Sequence, residues 1–119
     1  MITEGSAARA MVVAPCGRLD AAATSDLEGR LEDIISGQHP FVVLNLKDAT
    51  YVCSSCLRVL FLSLRKLRAR GGDLVLCSPS PRIKFILQVS GFDRIFNIAD
   101  TQEAAQRLLT DCDERGCTR

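Results

Sequence analysis

The sequence predicts one α/β domain: a mixed sheet of four to five strands with about four helices, packed mainly on one face. Three features carry that expectation. Short apolar runs such as Phe41-Val42-Val43-Leu44 and Leu74-Val75-Leu76-Cys77 recur along the chain. Stripes of helical period stand between them, as with Leu57, Leu60, Phe61, Leu64 and Leu67. Glycine or Ser-Pro marks the junctions. Strands that alternate with helices are joined by right-handed crossovers into a mostly parallel or mixed sheet.

Taken in order, Ala10 to Cys16 reads as a strand, with Pro15 setting its end near an edge. The segment around Ile2 offers one more edge strand. Gly17-Arg18-Leu19 reads as a turn into a helix capped by Asp20, with Leu27, Leu31, Ile34 and Ile35 inward and Gly37 as its stop. Phe41 to Leu46 is apolar on both alternating faces apart from Asn45, the pattern of a central strand covered on both sides. Asp48 to Cys53 reads as a connecting loop. A second helix follows from about Ser54 to Arg70, and Gly71-Gly72 ends it. Its terminal Arg65, Lys66, Arg68 and Arg70 read as a solvated end that suits the negative pole of the helix dipole.

Asp73 to Cys77 is a further short strand. Ser80-Pro81 opens a helix with an N-cap followed by proline at the first helical position, buried through Ile83, Ile86 and Leu87 and closed by Gly91. Ile95 to Ile98 reads as the last edge strand. Asp100-Thr101-Gln102-Glu103 resembles a capping box opening a final helix with Ala104, Ala105, Leu108 and Leu109 inward. Residues 1–112 are expected to form the domain and 113–119 to fray.

Composition narrows function. The chain has 119 residues, 47% apolar and 24% charged, with a net charge of +1 and no Trp. That profile suits an ordinary folded globule and gives no basic, aromatic-lined face for nucleic acid. The start, Met1 to Gly5, lacks the charged and apolar regions of a signal peptide, and no apolar run approaches a membrane span. A cytoplasmic protein is the expectation, and its six cysteines are read as thiols rather than a disulfide framework. No histidine lies near a nucleophile in sequence, no carboxylate pair flanks a pocket, and no Walker-type glycine loop occurs. The expectation is therefore no enzyme, no cofactor and no metal.

Several strings, in order, resemble one family. Gly17-Arg18-Leu19-Asp20 resembles the G-x-L-D turn of STAS domains, the bacterial anti-sigma factor antagonists. Val43-Leu44-Asn45-Leu46-Lys47-Asp48 is similar to that family's central strand. Gly71-Gly72-Asp73-Leu74 and Ser90-Gly91-Phe92-Asp93-Arg94-Ile95-Phe96 are similar to its later turns. In that family the loop before the second helix reads aromatic–aliphatic–Asp–Ser–Ser/Thr/Ala–Gly–Leu–Gly. Its first Ser is phosphorylated by a serine kinase that is also the anti-sigma factor. Here the loop reads Tyr51-Val52-Cys53-Ser54-Ser55-Cys56-Leu57-Arg58. The resemblance implies that Ser54 is the phosphoacceptor and that residues Cys53, Ser54, Ser55, Cys56, Leu57 and Arg58 meet the partner. It further implies a STAS fold, a serine-kinase anti-sigma factor as partner and a phosphatase that reverses the modification. Cys53 replaces the family's Asp, Cys56 its first Gly and Arg58 its second.

Physical chemistry allows both a switch and plainer roles at these positions. A phosphate on Ser54 would meet free N–H groups and the positive end of a helix dipole; equally, Ser54 can be an ordinary N-cap. Arg58, four residues on, can reach back toward Ser54 or remain a solvated charge. Cys53 and Cys56 form a C-x-x-C at a strand-to-helix junction, within disulfide reach and where a helix N-terminus favours a thiolate. They supply two ligands where a structural zinc site needs about four, and His39 is the chain's only histidine. Two alternatives to an antagonist remain: a STAS accessory subunit of a transporter or signalling assembly, and a thiol redox protein using Cys53 and Cys56.

Overall fold

The computed structural model describes residues 2–4, 10–37 and 39–114. The main sheet has five strands in the order β1-β2-β4-β6-β7. These are β1 (Ile2–Glu4), β2 (Met11–Val13), β4 (Phe41–Asn45), β6 (Asp73–Cys77) and β7 (Asn97–Ala99). β1 is antiparallel to β2 at one edge, and the other pairings are parallel. The α/β class, the mixed sheet and the edge strand at Ile2 agree with expectation. Among the described residues four helices complete the fold: α1 (Ala21–Ser36), α2 (Ser54–Arg68), α3 (Pro81–Val89) and α4 (Gln102–Glu114).

Two cores flank the sheet because β4 and β6 are buried on both faces. Val42, Leu44, Leu74 and Leu76 pack with Leu27, Leu31 and Ile34 of α1, Leu57, Leu60, Leu64 and Leu67 of α2, and Ile83 and Leu87 of α3. Phe41, Val43, Val75 and Cys77 alternate to the opposite face and meet Ala105 and Leu109 of α4. Alternation along a pleated strand forces this division. Three helices thus cover one face and α4 the other.

A second, two-stranded parallel sheet joins β3 (Gly17–Leu19) to β5 (Ala49–Val52). Gly17–Leu19, expected as a turn, and Ala49–Val52, expected within a loop, are both strands. Each run is too short to show a period-2 pattern. What makes it a strand is a partner more than thirty residues away, with Leu19 opposite Val52 and Arg18 opposite Tyr51. The Arg18 guanidinium lies 4.5 Å from the centroid of the Tyr51 ring.

The helix starts follow their caps. Asp20 accepts a hydrogen bond from Ala23 N at 3.1 Å, and Ser80 from Ile83 N at 3.3 Å. Thr101, not Asp100, caps α4, its hydroxyl accepting from Ala104 N at 3.1 Å. β2 stops at Val13, short of the expected end at Cys16. The last strand is shifted to Asn97–Ala99 because Phe92–Arg94 forms a 3-10 turn and Phe96 turns into the core. α4 runs to Glu114, and the remainder of the expected tail lies outside the described residues.

The basic end of α2 also differs from expectation. Arg68 donates to the buried Asp73 carboxylate at 3.1 Å and to Ile95 O at 3.1 Å. Asp73 further accepts from Leu74 N and from the Asn97 amide. Arg70 donates to Ile35 O, and Lys66 pairs with Glu32 at 2.9 Å. Arg68 is therefore a clamp between α2, β6 and the turn before β7 rather than a solvated charge. Gly72 lies directly against Pro40: a Cβ there would collide with the Pro40 carbonyl oxygen.

Candidate functional site

β5 delivers the chain to the head of α2. Ala49 and Val52 are buried, which holds the strand down, while Cys53 N donates to Leu19 O at 3.1 Å and ties the junction to β3. Cys53 has extended dihedrals (φ −93°, ψ 170°) and is the N-cap of α2. Ser54 is thus the first helical residue rather than the cap. The backbone decides this, because Cys53 O accepts the first helical bond, from Leu57 N at 3.2 Å.

The helix then sorts the expected site residues by face. Ser54, Ser55 and Arg58 are exposed, and Cys53 is half-buried. Cys56 is 0% and Leu57 7% exposed, both in the core under the helix. Those two side chains position the loop from within and present no surface to a partner. Arg58 makes no hydrogen bond or ion pair among the described residues, so it leaves the Ser54 hydroxyl free. The first turn of α2 carries no acidic residue, leaving the positive pole of the helix unopposed except by whatever charge Cys53 holds.

Cys53 is chemically distinct. Its Sγ lies 3.1 Å from the Ser55 hydroxyl and 3.6 Å from the Thr24 hydroxyl. Hydrogen bonding to Ser55, opposed by partial burial and helped by Thr24 and the first-turn N–H groups, lowers its pKa from 9.0 to about 7. A thiol with that value is largely ionised just above neutrality. Cys56 goes the other way: loss of solvent raises its pKa to about 11, despite a hydrogen bond from Thr24. Both thiols are free.

Thr24, which no local motif marks as a site residue, joins the site through Cys53. It lies three residues before Leu27 on the inward stripe of α1, and a hydroxyl on an apolar stripe was the available signal. Among the described residues no group of three or more His, Cys, Asp or Glu side chains gathers to hold a metal ion. No helix among them is long and apolar enough to cross a membrane.

A sheet with three helices on one face and one on the other, and a serine presented at the head of the second helix, defines a class of domain that comparison identifies. The STAS domain family matches residues 4–105. The chain belongs to the STAS domain family. It is 36% identical over 89 residues to BtrV of Bordetella bronchiseptica, a candidate anti-sigma factor antagonist, spanning 75% of this chain and 77% of BtrV. A candidate anti-sigma factor antagonist of Thermotoga maritima superposes with a TM-score of 0.84 over 92% of each chain at 21% identity. The Bacillus cell fate determinant SpoIIAA, an anti-sigma factor antagonist, matches in its unphosphorylated form with a TM-score of 0.71 at 20% identity, over 91% of this chain and 96% of that one. Its phosphorylated form matches with a TM-score of 0.68 at 23% identity, over 91% and 99%. The likenesses to solved structures are likenesses of fold.

Proposed function

We propose that this protein is a regulatory binding module of the cytoplasm rather than an enzyme: an anti-sigma factor antagonist that binds a serine-kinase anti-sigma factor and is phosphorylated by it on Ser54. One observation carries the reading. Ser54 is the exposed first residue of α2, at a strand-to-helix junction anchored by β5 and by the hydrogen bond from Cys53 N to Leu19 O. The similarity to BtrV favours this partner class over a transporter assembly.

The binding face is Ser54, Ser55 and Arg58 with the edge of Cys53, set in place from below by Cys56 and Leu57. A phosphate on Ser54 brings about −1.5 to −2 charges to a helix N-terminus, which accommodates it well. The fold tolerates the modification, and its cost falls on the complex. A phosphatase acting on phospho-Ser54 restores binding.

Cys53 tunes this step. An aspartate at the N-cap could orient a neighbouring hydroxyl, whereas a thiol is a weak donor and acceptor. Phosphorylation is therefore slow in the wild-type protein. The test is a time course with a serine kinase that binds this chain, under reducing conditions. One phosphate is expected on Ser54, none on Ser54→Ala, weaker kinase binding by Ser54→Asp, and a faster reaction for Cys53→Asp. Phosphate on Ser55, or none on wild type and Cys53→Asp alike with a kinase that binds, overturns the assignment.

A further inference from the structure

Cys53 and Cys56 lie at the two ends of one turn, in opposite environments. Cys53 is half-buried beside the surface serines, and Cys56 is fully buried directly beneath. The Thr24 hydroxyl of α1 lies 3.6 Å from Cys53 Sγ, and Cys56 is buried in the core that Leu27 and Leu31 of α1 share, so both lie on the side of the turn facing α1. Residues three apart across an N-cap fall within the Cα separation a disulfide requires, about 4.4–6.8 Å. Cys53 also lies outside the helical dihedrals, so its side chain can swing toward Cys56 without unwinding α2.

We propose that Cys53 and Cys56 are a peroxide-responsive dithiol, in which Cys53 attacks and Cys56 resolves. The Cys53 thiolate displaces on the O–O bond of hydrogen peroxide or an organic hydroperoxide. A sulfur–oxygen bond forms, the O–O bond breaks, and water or an alcohol leaves after taking up a proton. The Cys56 sulfur then attacks the Cys53 sulfenic acid. The S–S bond forms, the Cys53 S–O bond breaks, and the hydroxyl leaves as water with the Cys56 proton. Overall the dithiol loses two electrons and two protons, and the peroxide is reduced.

The environments fit these roles. The attacking sulfur is the accessible one, stabilised as an anion by Ser55 and Thr24. The resolving sulfur stays a protonated, protected thiol until its neighbour is oxidised. Ser54 and Ser55 lie between the two cysteines, so the bridge clamps the stretch of backbone that presents Ser54. As regulation of Ser54 the inference rests on the proposed function; the thiol chemistry stands apart from it.

The experiment is intact-mass analysis of the full chain with Cys16, Cys112 and Cys117 replaced by Ser, treated with hydrogen peroxide at neutral pH. The expected product has lost two hydrogens, yields a peptide linking residues 53 and 56, and returns to the dithiol with dithiothreitol. Cys56→Ala should stop at a Cys53 sulfenic acid, trapped by dimedone. Cys53→Ser, at a half-exposed position, should abolish the response entirely. No mass change in the parent, or dimedone labelling at Cys77 instead of Cys53, overturns the proposal. These readouts need no partner, so their failure leaves the Ser54 reading standing. Failure of the reduced protein to bind or accept phosphate from any serine kinase would sink that reading and leave the dithiol intact.

Discussion

Thr24 Oγ1 of α1 lies 3.6 Å from Cys53 Sγ at the head of α2. This contact joins residues 29 apart in sequence and makes the chemistry of the loop depend on how the two helices pack.

Alkylation of Cys53 should therefore follow an ionisation near pH 7. The rate with iodoacetamide, measured against pH on folded protein, is expected to rise with a midpoint of about 7 rather than 9.0. Ser55→Ala should move that midpoint upward the most, and Thr24→Val upward by less. Cys56, held at about 11 by burial, should react only after unfolding. A midpoint unchanged by Ser55→Ala would contradict the hydrogen-bond origin of the shift.

Stability should carry the same mark. Cys53 is an acid whose folded pKa is depressed, so its contribution is fully present above 9.0 and is lost as pH falls through about 7. Cys56 is raised, so its contribution is present below 9.0 and is lost as pH rises toward about 11. Urea melts under reducing conditions should show stability rising between pH 7 and 9, and Cys53→Ser should flatten that rise.

Cys53→Asp should stabilise the fold. The thiol is a weak acceptor that draws only slightly on the first-turn N–H groups and forms no full cap hydrogen bond to α2, whereas aspartate at an N-cap is worth about 0.5–2 kcal/mol over a residue that does not cap. The gain should vanish in acid as the carboxylate protonates. Thermal melts at pH 7 and pH 3 compare the two states directly, and a lower melting temperature for the variant at pH 7 would refute it.

Arg68→Met should be costly although it lies on a helix end rich in cations. It strands the Asp73 carboxylate, which is 4% exposed, and breaking one side of such a pair costs about 3–5 kcal/mol when both groups are buried. Arg68 keeps 21% side-chain exposure, so a loss nearer about 2–3 kcal/mol is expected. Arg65→Met, whose guanidinium lies over Phe61 at 5.8 Å, should cost under about 1 kcal/mol. Chemical denaturation of the two variants gives the comparison.

Gly72→Ala should destabilise strongly, by about 3 kcal/mol or more, because the new methyl would meet backbone of Pro40 rather than a side chain that can move. Gly29→Ala, at an open helical position, should instead stabilise by about 0.5–1 kcal/mol.

The architecture was legible because its signals are local. Phe41 to Leu44 and Leu74 to Cys77 announced strands buried on both faces, and Leu57 to Leu67 a helix with one inward stripe. Asp20 and Ser80 named their helix starts, since an N-cap bonds to a backbone group only three residues on. Serine 54 at the head of α2 was legible for the same reason, once the loop string was recognised.

By itself, then, the sequence determined periodicity, caps and the order of elements, which depend on residues within a turn or two of one another. The tertiary structure alone decided what distant residues do to each other. It made strands of Gly17–Leu19 and Ala49–Val52 through mutual pairing. It drew Arg68 out of a surface cluster onto Asp73, and it turned Cys56 and Leu57 inward while leaving Ser54 outside. It also set Thr24 against Cys53, so that two cysteines in a row of four residues came to differ in acidity. Solvent exposure and long-range hydrogen bonds fix those properties, and neither exists until the chain has closed on itself.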